Sequence, residues 1–186
     1  MAEIYRTGKQ YADQAKLPKY EKLKYSDVDC QAFCELVLKD IGIRQPNGAV
    51  YNWKGSNDMA RNACSWIGTK EECIKKFGYI PVGAWTFMWD NTGNEKQRGY
   101  YDGKGNYSHI GIFVGDNIVR DSTRIKDSTG KVIRDGVANR NLSAFNRIGL
   151  CKLLDFGTDS SYNKYDKIKA VLSDIRNKLT ELEGLL

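Results

Sequence analysis

The stretch SHIGIFVGDNIVRDST (residues 108–123) reads as two β-strands joined by a tight turn at Gly115, Asp116 and Asn117. Alternation along the first strand puts Ile110 and Ile112 on one face and His109, Gly111 and Phe113 on the other. A hairpin of this kind seeds an antiparallel sheet, and the neighbouring sequence supplies more strands. YIPVGAWTFMW (79–89) is apolar and aromatic, as a buried strand would be. DNTGNEKQRGYYDGKGNY (90–107) is a glycine-rich excursion that reads as a long hairpin loop. KDSTGKVIRDG (126–136) supplies another turn, and RIGLCKLLDF (147–156) a closing strand.

Upstream the period changes to that of helices. Residues 9–16 form a short helix that Pro18 stops. A longer one follows Asp27 or Asp29 and ends at Gly42, with Phe33, Val37 and Ile41 recurring every four residues and Leu36 beside them. Further helical stretches are expected at 58–66 and at 69–77, where Thr69 and Glu72 make a capping box and Gly78 closes the turn. Helices first and an antiparallel sheet after them is the α+β arrangement.

Beyond residue 157 the texture changes again. Ile168, Leu172, Ile175, Leu179, Leu182 and Leu186 step by 4, 3, 4, 3, 4. That is a heptad seam, favouring an oligomer or a partner helix over a helix folded back on the domain, whose apolar stripe would be wider. The chain therefore divides into a domain of residues 1–157 and a linker with an amphipathic helix at 158–186.

The net charge is +6, and the five basic and five acidic residues from Asp159 onward cancel, so the whole excess lies in the first domain. A basic surface suits an anionic partner. No helix-turn-helix, zinc-finger or RNP pattern points to nucleic acid. No apolar run approaches the roughly 18 residues that would span a bilayer, and residues 1–16 lack the basic-then-apolar pattern of a signal peptide, so cytoplasmic synthesis is expected. The five cysteines read as free thiols; none forms a CxxC pair, so no metal or other cofactor is expected.

The chemistry concentrates in SDVDCQAFCELVLKDIGI (26–43). A cysteine at a helix N-terminus has its thiolate stabilised by unpaired amides and aligned peptide dipoles. Cys30 holds that position. Cys34, one turn further in, reads as core. A thiolate used for acyl transfer needs a proton donor and acceptor, and His109 is the single histidine in the chain. A third group fixes the imidazole tautomer. Asp121, which the hairpin returns alongside His109, is the choice, with Asn117 and Ser122 behind it.

These residues carry a resemblance. Asp29-Cys30-Gln31-Ala32-Phe33 resembles the Asp-Cys-Ser-Gly-Phe element of the NlpC-type cell-wall cysteine peptidases, a papain-like family. Ile80-Pro81-Val82-Gly83-Ala84-Trp85 is similar to that family's Pro-Gly-Asp-Leu strand entry, and residues 108–115 to its histidine strand, in the same order and at similar separations. The resemblance covers roughly residues 20–156. It departs at Gln31-Ala32 and Ala84, and in lacking a second histidine as third catalytic group, where Asp121 or Arg120 falls nearest.

The resemblance implies a papain-like fold and hydrolysis of an amide bond in peptidoglycan stem peptides by Cys30, His109 and Asp121. It places Asp29, Tyr25 and Ser108 against the substrate, with Tyr20 and Tyr25 bracketing the family's usual tyrosine position. Wall cleavage without an export signal fits a phage endolysin. A CHAP-like N-acetylmuramoyl-L-alanine amidase, a non-catalytic wall-binding or tail structural protein, and a cysteine acyltransferase or toxin acting inside cells remain alternatives.

Overall fold

In the computed structural model, residues 6–91 and 102–157 are described. Thr7 and Gln10 form a capping box that starts α1 (Gly8–Ala15), which buries Tyr11, Ala12 and Ala15. Pro18 opens a single 3-10 turn through Lys22. The next helix, α2 (Cys30–Asp40), begins where the Asp29 carboxylate accepts the Ala32 N–H at 2.8 Å. Its buried stripe is Phe33, Cys34, Val37 and Leu38, whereas Leu36 and Ile41 are only half-buried. The buried face is thus rotated toward Leu38 from the one that the four-residue spacing suggests.

The helix expected at 58–66 begins two residues earlier and stops at Ala63. A one-turn α3 (Ser56–Asp58) runs into a π-turn at Met59–Ala63, and the chain then extends as β1 (Cys64–Gly68). Pairing with the last strand wins over helix here; Cys64, Trp66, Ile67 and Gly68 all find partners in it, and the Ser65 hydroxyl donates to the Leu150 carbonyl. By contrast α4 (Lys70–Phe77) follows its signals, with the Thr69–Glu72 capping box and a left-handed Gly78 (φ 83°).

The remaining strands are β2 (Trp85–Asp90), β3 (Asn106–Gly115), β4 (Ile118–Lys126), β5 (Val132–Asn141) and β6 (Arg147–Cys151). They join β1 in a six-stranded antiparallel sheet of order β1-β6-β2-β3-β4-β5. The turn between β3 and β4 has positive φ at Asp116 (50°) and Asn117 (59°), the backbone of a type I′ hairpin. Two strand expectations are trimmed: residues 79–84 precede β2, with Gly83 and Ala84 exchanging backbone hydrogen bonds with Phe113 of β3, and β6 stops at Cys151. The β2–β3 hairpin pairs Trp85 with Ile112 through to Asp90 with Asn106. Part of its connection, residues 92–101, and the heptad positions 168–186 lie outside the described residues.

Both faces of the sheet carry apolar clusters. Alternation sends Ile110 and Ile112 into one with Phe33, Val37, Leu38, Tyr11 and Trp85, and sends Phe113 into another with Ala84, Val119, Phe145 and Ile148.

The feature that makes room for a site is a fork. The β3–β4 ladder comprises only Ile112–Arg120, Phe113–Val119 and Gly115–Ile118. Beyond it, residues 106–110 of β3 pair with β2 while residues 121–126 of β4 pair with β5. Helix α2 packs against both strands. Gly111 sits at the apex, where a Cβ would lie 2.5 Å from Val119 Cγ1 and 3.0 Å from Asp121 Cβ. Overpacking of this kind costs about 1–3 kcal/mol. Gly111→Ala is therefore expected to lower the urea midpoint, and an unchanged midpoint would show that the apex is not closely packed.

Candidate active site

Three elements converge at the fork. Helix α2 contributes Cys30 as its first residue, directly after the Asp29 cap. Strand β3 contributes His109 and strand β4 contributes Asp121. His109 is bonded through Nε2 to Asp121 Oδ2 at 2.6 Å, and Cys30 is near enough to act electrostatically on the imidazole. With Nε2 committed to the carboxylate, Nδ1 is the nitrogen left for the sulfur. The imidazole also stacks over Phe145, with ring centroids 6.0 Å apart and planes at 26°.

Asp121 is fully buried. A buried carboxylate is tolerable only when paired, and β5 supplies the partners. Ala138 lies opposite Asp121 in the register, so residues 134 and 140 fall on the same face. Arg134 Nη2 donates to Asp121 Oδ1 at 2.6 Å, and Arg140 Nη2 stands 3.2 Å from Oδ2. Arg134 is further fixed by the Ala138 carbonyl at 3.0 Å.

The electrostatics follow from this crowding. Burial disfavours the charged form of His109, but hydrogen bonds and charge attraction from Asp121 and Cys30 outweigh it and raise the imidazole to about 9. Burial pushes the Cys34 thiol well up, and Cys73 and Cys151 to about 11 and about 12. Cys64 is driven up for the same reason. Cys30, in contrast, is partly exposed at a helix mouth, with His109 beside it. Its own N–H and that of Gln31 lie in the first turn, where no intrahelical acceptor exists, and they are suited to hold an oxyanion. The Gln31 side-chain amide is not available for that task, since it donates to Glu35 and to the Trp53 carbonyl.

The other residues singled out from the sequence take different places. Asp29 is exposed and caps α2 with one carboxylate oxygen. Tyr25 is half-buried, its N–H donating to Asp135 Oδ1 at 3.1 Å, which ties the segment before α2 to β5. Ser108 is exposed beside His109, its hydroxyl facing the Met88 carbonyl at 3.4 Å. Tyr20 is buried against Phe33 and donates to Asp40, so it is a core residue. Asn117 sits in the hairpin turn, and Ser122 donates to the Val28 carbonyl. Arg120 contacts Ala15, Glu21 and Asn139. None of these three meets His109 as Asp121 does.

Arg134, Arg140 and Phe145 did not stand out from the sequence. The available signal was two arginines an even number of residues apart on a strand following Asp121. No protein-family model, curated protein or solved structure matches the chain.

A single histidine gives one C2-proton resonance, so its titration is directly readable by NMR. It is expected near 9, and Asp121→Asn and Cys30→Ala should each lower it. Because the folded value lies above the unfolded 6.5, stability from this group is fully present below about pH 6.5 and lost as pH rises through about 9. A wild-type midpoint near 6.5 would contradict the arrangement.

Proposed function

We propose that this protein is a papain-like cysteine hydrolase that cleaves an amide bond in peptidoglycan stem peptides, as a phage endolysin would. The observation that carries the reading is the Cys30–His109–Asp121 relay, assembled from a helix N-terminus and two diverging strands. A cysteine-bearing helix laid against an antiparallel sheet that supplies the histidine and its carboxylate is the papain-like plan. The motif order favours the NlpC-type branch, and the basic excess in residues 1–158 suits an anionic wall polymer.

The steps follow from the geometry. With the proton held on His109, the Cys30 sulfur attacks the carbonyl carbon of the amide. The oxyanion is met by first-turn N–H groups of α2. The imidazolium, held in place by Asp121, protonates the leaving amine as the C–N bond breaks, leaving a thioester on Cys30. Water, deprotonated by His109, attacks the thioester; the acid is released and the thiolate is restored.

Cys30→Ala is expected to reduce release of soluble fragments from purified peptidoglycan by about a thousandfold or more, since removing a nucleophile leaves only binding and oxyanion stabilisation. Cys34→Ala should retain turnover if the fold survives. Mass spectrometry of the fragments identifies the bond. Undiminished release by Cys30→Ala would reject the reading.

A further inference from the structure

The relay needs one carboxylate and one imidazole, yet this site holds two guanidinium groups as well. Asp121 Oδ2 already takes the His109 bond at 2.6 Å and Oδ1 the Arg134 bond at 2.6 Å, so the buried carboxylate is satisfied without Arg140. Arg140 approaches Oδ2 at a looser 3.2 Å. Its other contacts are weak acceptors: Met88 Sδ at 3.9 Å and the face of Phe145 at 5.7 Å from the ring centroid. Its side chain keeps 16% of its surface exposed, against none for Asp121. Phe145 is shared, since His109 stacks on the same ring.

Counting charge sharpens the point. Arg134 and Arg140 contribute two positive charges and Asp121 one negative charge. The Cys30–His109 pair sums to zero whether the proton sits on sulfur or on nitrogen. The site therefore carries one surplus positive charge in both states. A partly desolvated cation with no full counter-charge is unfavourable unless a ligand supplies one. A guanidinium offers a planar fork of donors that matches a carboxylate. Cys30 is within electrostatic reach of Arg140.

We infer that Arg140 is a specificity-determining residue that receives a carboxylate borne by the substrate close to the scissile amide. This rests on the cysteine-hydrolase reading and deepens it. The substrate class becomes amides flanked by a free carboxylate, as acidic stem-peptide residues provide, in preference to their amidated counterparts.

The test uses alkylation of Cys30 in the full chain, followed by peptide mass spectrometry, with two probes of nearly equal size. Iodoacetate carries the carboxylate; iodoacetamide is its neutral counterpart. A nearby unit charge is expected to favour iodoacetate at Cys30 by about five- to tenfold over the ratio shown by free cysteine. Arg140→Gln should abolish that preference, Arg140→Lys should keep part of it, and 1 M salt should erode it in the unaltered protein. Should Arg140→Gln fail to fold, the lysine variant and the salt series carry the comparison. Equal iodoacetate and iodoacetamide ratios in the unaltered protein and free cysteine would overturn the inference. So would a preference that persists unchanged in Arg140→Gln or in 1 M salt. On stem peptides, KM for the acid form should rise in Arg140→Gln with little change for the amide form. Loss of all peptide turnover with the alkylation preference intact would reject the peptidoglycan reading and leave the anion site standing.

Discussion

A carboxylate buried beyond the reach of water dictates the layout of half the sheet. Asp121 has no exposed surface, so its charge must be answered by protein groups. Each oxygen has a 2.6 Å partner, one from His109 and one from Arg134. Those partners can reach it only if β3 and β4 separate beyond Ile112–Arg120 while β4 and β5 stay in register along their length. The opening of one ladder and the continuity of the next are thus two sides of the same electrostatic demand. Gly111 at the apex supplies the remaining condition, the absence of a side chain where Val119 and Asp121 close in.

Helix α2 completes the site because two cysteines one turn apart experience opposite environments. Cys30 is the first helical residue, where unpaired amides and the peptide dipoles favour negative charge. Cys34 is fully buried, its carbonyl bound by the Tyr11 hydroxyl, and its thiol is held well above its ordinary range by burial. The difference is one of depth rather than of chemistry. Asp29 fixes that depth by ending the helix one residue before Cys30.

Elements specified by local signals were legible in the sequence. The capping box at Thr69–Glu72, the turn at Asp116–Asn117 and the Asp29 cap each encode a boundary within a few residues. The alternation around His109 likewise separates Ile110 and Ile112 from Phe113. What depends on distant pairing was not legible. Residues 64–68 have an ambiguous local preference and become a strand because β6 lies ready to pair with them. Cys30, His109 and Asp121 could be nominated from helix polarity and hairpin return. Arg134 and Arg140 could not, because nothing local distinguishes them from solvated arginines. Their meaning comes only from the register that sets Ala138 opposite Asp121.

The arginines also answer the charge of the carboxylate that holds the imidazole. Arg134 and Arg140 draw on the same carboxylate, so Asp121 orients His109 while spending part of its charge elsewhere. The carboxylate fixes the ring through a short, directional bond, and its pull together with that of Cys30 still raises the imidazole to about 9. Here the partner is strong, and β5 holds it in place through Arg134 and Arg140.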